Sequence, residues 1–162
     1  MKKEIASQYK ASLKMLMDTI QKCPNDLWEN NEYENQYWRI VYHTLFYTSL
    51  YLEPAKFIPW AKHIENYNRL GSVTYDNKPI IINKAYSKKE MLDYLEIIYN
   101  DCESLVKNTL IEEKSGFDWL PTNRMELHLY NIRHIQHHTG QLVERLRQNG
   151  VKGIRWETMS SE

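Results

Sequence analysis

The chain has 162 residues, 42% hydrophobic and 26% charged, an ordinary soluble composition with enough length for one substantial core and none of the bias of a disordered protein. Basic and acidic residues balance at 21 each, which argues against a general nucleic-acid binder. No apolar run is long enough for a membrane span, and Met1-Lys2-Lys3-Glu4 leads into an amphipathic pattern instead of a signal peptide's apolar core, so the cytoplasm is the expected location. We expect one domain over residues 1–162.

Ile5, Tyr9, Leu13, Leu16, Met17 and Ile20 recur at three- and four-residue steps, one apolar stripe on a first helix that ends at Cys23-Pro24-Asn25. Trp28 follows in a connector rich in Asn and Glu. A second helix is expected from about Glu34 to Glu53, stopped by Pro54. Trp38, Ile40, Val41, Tyr42, Leu45, Phe46, Leu50 and Leu52 make most of its circumference apolar, so protein surrounds it. His43 sits near its middle. By itself His43 reads as a core histidine bonded to a Tyr or a carbonyl, because a buried ring needs partners for its nitrogens.

Pro54, Pro59, Gly71 and Pro79 punctuate the next stretch, which shows no long periodic run. A short helix around Trp60, Ile64 and Tyr67 and an extended piece at Pro79-Ile80-Ile81-Ile82 are expected. The stretch is long enough to travel the length of a helix, so the helices it joins need not be antiparallel. Ser87-Lys88-Lys89-Glu90 is a capping box, opening a third helix with Met91, Leu95, Ile98, Cys102 and Leu105 on one face. Lys114-Ser115-Gly116 follows it. Asn123 with Glu126 caps a fourth helix carrying Met125, Leu129, Ile132, Ile135, Leu142 and Leu146, which stops at Asn149-Gly150. Trp156 in the tail is expected to pack back on the domain. Long amphipathic helices with little strand signal make this an all-α four-helix bundle with a long crossover between helices 2 and 3.

The fourth helix concentrates three of the six histidines in Arg133-His134-Ile135-Gln136-His137-His138-Thr139-Gly140-Gln141-Leu142. His134 and His138 are four residues apart, about 40° of rotation and one turn of rise, so both rings leave one face. Two such imidazoles are half of a site for a borderline divalent metal, and mid-helix His43 can complete it. Three protein ligands without an obvious fourth is the arrangement of catalytic zinc-type sites rather than structural ones. Gln141, one turn beyond His138, can bond a water or the second nitrogen of a ligand. Gly140 removes bulk beside the site or allows close helix packing. His63 and His128 read as surface or packing residues. Cys23 and Cys102 form no CxxC and have no adjacent base, so they read as reduced thiols in or near the core. Twelve Tyr and five Trp fill a core or wall a pocket.

Tyr37-Trp38-Arg39-Ile40-Val41-Tyr42-His43-Thr44-Leu45-Phe46 resembles the second-helix motif of the DinB-like superfamily. His134 to Leu142, His-x-x-His-His-x-Gly-Gln-Leu, resembles that family's fourth-helix motif, and the helix order and crossover agree over nearly the whole chain. The resemblance implies an up-down-down-up bundle with a divalent metal, zinc or nickel, on His43, His134 and His138. His137 matches a family histidine that is not normally a ligand, and Thr139 stands where relatives often carry a basic residue. It also implies a metal-dependent thiol S-transferase of the bacillithiol type, acting with a low-molecular-weight thiol, or a hydrolase. A small-molecule substrate and a homodimer are the expected partners, with no nucleic acid and no membrane. A non-catalytic metal or small-ligand binder of stress response is the alternative, and a metal-free bundle acting through protein contacts is a third reading. No carboxylate is placed by the sequence as a general base, which weighs against protease-like chemistry.

Overall fold

The computed structural model describes residues 1–54, 60, 74–75, 77–79 and 84–159. Among them are five helices, α1 (Lys2–Lys22), α2 (Asn25–Trp28), α3 (Tyr37–Leu52), α4 (Lys88–Asn108) and α5 (Arg124–Gln148), and two short strands, β1 (Thr74–Tyr75) and β2 (Lys78–Pro79). The strands pair antiparallel, Thr74 opposite Pro79 and Tyr75 opposite Lys78. The described residues are thus all-α apart from this small ladder. No helix among the described residues is long and apolar enough to cross a membrane.

α1, α4 and α5 each bury one face in the bundle, whereas α3 is buried on most of its circumference. The main neighbours of α1 are α4 and α5, and those of α3 are also α4 and α5. Tyr9, Leu13, Leu16 and Ile20 from α1 meet Trp38, Val41, Tyr42 and Leu45 from α3, Met91, Leu95, Cys102 and Val106 from α4, and Ile135, Leu142 and Leu146 from α5 in one continuous buried cluster. At about 1.5–3 kcal/mol for each large apolar side chain removed from water, this cluster supplies the main driving force for the arrangement.

The termini of these helices follow local chemistry. Ser87 and Glu90 make both bonds of the capping box at α4, and Asn123 Oδ1 accepts from the Glu126 N–H at 2.9 Å to cap α5. Gln36 delays α3 to Tyr37, later than the expected start at Glu34. Its amide nitrogen donates to Glu29 O and Asn31 Oδ1, and its carbonyl oxygen accepts from Trp38 Nε1, so the loop wraps around this side chain instead of continuing into helix. Several polar groups inside the core are tied to backbone. Thr44 and Thr48 return their hydroxyls to Ile40 O and Thr44 O. Tyr37 Oη donates to Thr19 O, joining α3 to α1, and Asn131 Nδ2 donates to Thr48 O, joining α5 to α3.

Several expectations are corrected. Trp28 does not lie in a polar connector. It closes α2, is buried, and donates from Nε1 to Tyr86 O at 2.8 Å. Leu129 is 53% exposed, while Leu127 is fully buried in its place. Trp156 is 73% exposed. The tail is instead fastened to α1 by Lys22 on Gly153 O, Gln8 on Thr158 O and the Lys14–Glu157 ion pair, with Val151 and Ile154 against the core. Trp60 is not helical, and its ring stacks on Tyr94 at 4.9 Å. Ile64, Tyr67, His63 and residues 80–82, on which the short helix and most of the extended piece were expected, lie outside the described residues.

Candidate metal centre

His43 leaves the middle of α3, and His134 and His138 leave successive turns of α5. Because α3 packs directly on α5, the three rings converge. Their centroids lie 5.1 Å (His43–His134), 4.6 Å (His43–His138) and 4.6 Å (His134–His138) apart. One ligand atom from each of these three residues lies within 4.8 Å of the others, a group that can hold a metal ion. The shortest approach is His134 Nε2 to His43 Nε2, at 3.1 Å. All three rings are half-buried.

Burial keeps the two α5 histidines in their ligand form. Burial, reinforced by the charges of His138, His43 and His137, pushes the His134 pKa down to about 3. Burial also lowers that of His138, opposed by its bond to Gln141 and assisted by His137. Both are therefore neutral at pH 7, and the neutral imidazole is the form that binds metals. Gln141 Oε1 can only accept, so at 2.8 Å it takes the Nδ1–H of His138 and leaves the Nε2 lone pair of that ring for another partner. Gln141 Nε2 lies 3.3 Å from His137 Nε2, so one amide orients two histidines. His137 itself is exposed and lies outside the three-residue group.

Aromatic rings close the other sides. Tyr47 lies 4.8 Å from His43 and 5.9 Å from His134, and Tyr51 lies 6.1 Å from His134. Burial raises both phenol pKa values, so both stay neutral. Tyr51 in turn touches Phe117, Trp119 and Tyr130.

A cleft of about 460 Å³ opens beside His43 and His138, lined also by Tyr33, Glu34, Asn35, Ile40, Gln141 and Arg145. That volume is in the range of small-molecule sites. Tyr33, Glu34 and Asn35 come from the loop ahead of α3, where no periodic pattern marks them. Arg145 was legible in principle, because it follows His138 by two turns on the same helical face. Gly140 does not have the role expected of it. It is exposed, and a Cβ built there meets no atom within 4 Å, so it neither relieves the site nor permits close packing. His128 is a packing residue. It is fully buried, with Nδ1 3.1 Å from Tyr9 Oη, and burial lowers its pKa to about 4. Cys23 and Cys102 are free, buried thiols whose pKa values burial raises to about 12 and about 11, which removes them as nucleophiles at neutral pH.

The residues present suit a divalent ion: three imidazoles on rigid helices, two of them held neutral by burial, one ring oriented by a second residue, and an adjoining cleft. Compared with family models, curated proteins and solved structures, the chain matches none.

Proposed function

We propose that this protein binds one divalent metal ion, zinc or nickel, on His43, His134 and His138, and uses it in a reaction on a small molecule admitted through the adjoining cleft. The observation that carries this reading is the convergence of three imidazoles from α3 and α5. Two nitrogens each about 2.0–2.1 Å from one ion at a tetrahedral angle are about 3.3 Å apart, close to the 3.1 Å between His43 Nε2 and His134 Nε2. An ion held by three protein ligands supplies Lewis acidity, which polarises a bound oxygen or stabilises a thiolate. The chain's own side chains do the rest. Gln141 holds the His138 proton on Nδ1, Tyr47 and Tyr51 keep water from the His134 side, and Glu34 and Arg145 set the polarity of the cleft.

The helix contacts support an up-down-down-up bundle. Lys10 meets Glu103 and Lys2 reaches Lys107 O, so rising numbers in α1 pair with falling numbers in α4. Tyr9 meets His128 and Met15 meets Gln136, a parallel relation of α1 to α5. Asn131 reaches Thr48 O and Arg124 reaches Leu52 O, an antiparallel relation of α5 to α3. That order, with the histidine motifs, supports assignment to the DinB-like superfamily.

Within that assignment we place thiol S-transfer of the bacillithiol type ahead of hydrolysis. Among the described residues the histidine group includes no carboxylate, and Glu34, the one carboxylate that lines the cleft, is exposed. The same shortage of a placed base favours, as a second reading, a non-catalytic metal or small-ligand binder of stress response. Elemental analysis after chelator-free purification tests the metal reading. We expect about one ion per chain in the wild type and almost none in His43→Ala or His138→Ala. A wild type that stays metal-free after reconstitution overturns it. Conjugation of an electrophile to a low-molecular-weight thiol by the loaded protein separates the enzyme from the binder.

A further inference from the structure

Arg145 follows His138 by seven residues on α5, which places both on one helical face about 10 Å apart along the axis. Both line the same cleft. The guanidinium is not a loose surface group. It stacks over the Tyr33 ring at 4.0 Å and donates from Nη1 to Asn35 O at 2.8 Å. Asn149 Nδ2 donates to Tyr33 Oη, which steadies the ring beneath it. Arg145 is half-buried, and burial lowers its pKa. The groups that act on its charge are Tyr33, Tyr37 and Cys23, and no carboxylate among the described residues pairs with it. A fixed cation that is partly desolvated and unpaired, on the wall of a cleft, is a receptor for an anion.

We propose that Arg145 is the carboxylate-binding residue of the cleft, so that its ligand is a small carboxylate-bearing molecule reaching from the three-histidine group to the guanidinium. The proposal rests on the metal reading above for the other end of that ligand. A divalent ion on neutral imidazoles adds positive charge to that of Arg145, and exposed Glu34 offsets only part of it. The balance favours an anionic ligand. A carboxylate fits better than a phosphate. One planar guanidinium, already committed at one edge to Asn35 O, matches one bidentate carboxylate, whereas a phosphate dianion calls for more cationic donors than the described residues of this wall present and meets the exposed Glu34.

Calorimetric titration of the zinc-loaded protein with 6-mercaptohexanoate and with 6-mercaptohexanol tests the proposal. The two probes share the thiol and the chain and differ in the far end. We expect the carboxylate to bind roughly tenfold to a hundredfold more tightly, with that preference lost in Arg145→Gln and partly kept in Arg145→Lys. Equal affinities in the wild type, which need no variant to fold, overturn the proposal, as does a preference that survives in Arg145→Gln. Glutarate titrated into metal-free protein separates this from failure of the metal reading. If zinc is never taken up but glutarate still binds and Arg145→Gln abolishes it, only the metal reading falls. If glutarate does not bind either, both fall.

Discussion

His43 and His134 bring their Nε2 atoms to 3.1 Å across the contact between α3 and α5. These residues are 91 positions apart in the chain, and the approach exists only because two helices pack with matched registers. The same packing carries Asn131 to Thr48 O and Arg124 to Leu52 O. Buried hydrogen bonds on one side of the histidines thus fix the register that brings the imidazoles together.

Gln141 holds the His138 ring, and through it would act on a metal bound to the three histidines. Gln141→Ala frees the His138 ring and its Nδ1–H, which Oε1 now holds at 2.8 Å. Loss of such an orienting partner costs about 10- to 100-fold in metal affinity. Competition with a chromophoric chelator should show this weakening at unchanged stoichiometry. An affinity equal to that of the wild type would mean that packing alone orients the ring.

His128 makes the fold sensitive to acid independently of the metal site. Burial holds its folded pKa at about 4, below the ordinary 6.5, so the unfolded chain binds the proton more readily. Its contribution to stability is complete above pH 6.5 and is lost as the pH falls towards 4. The loss is at most about 3 kcal/mol for a shift of this size. Urea unfolding of metal-free protein should show His128→Gln losing less stability than the wild type between pH 7.5 and 4.5. His134, also held low, leaves a residual slope in both. Parallel curves for the two proteins would contradict this.

Gly140 lies inside α5 with open space where a side chain would stand. Gly140→Ala should therefore stabilise the protein by about 0.5–1 kcal/mol through helix propensity, with zinc affinity unchanged. Calorimetric melting and chelator competition check the two halves. Destabilisation, or weakened zinc binding, would restore to this glycine the site role that its surroundings deny it.

The parts of this arrangement differ in how far the sequence reveals them. The spacing of His134 and His138, the capping box at Ser87 and the buried face of α4 follow from helical periodicity and short-range hydrogen bonding, so local pattern suffices. His43 is different. Its own helix presents it as a core histidine, and only the bundle expectation, with the resemblance to a known motif, joins it to the distant pair. Arg145 obeys the same periodicity as His138, but a lone arginine gives no sign of facing a cleft. Tyr33, Glu34 and Asn35 belong to a loop shaped by the side chain of Gln36, and no repeat announces that. Trp156 misleads for the opposite reason. Its apolar ring suggests burial, yet backbone carbonyls of the tail, bound by Lys22 and Gln8, fasten the segment without it.

X-ray absorption at the zinc edge of the reconstituted protein tests the central claim most directly. We expect three imidazole nitrogens at about 2.0–2.1 Å, and one sulfur appearing at about 2.3 Å when a low-molecular-weight thiol is added. A first shell with fewer than three imidazoles, or one containing sulfur before any thiol is added, would contradict it.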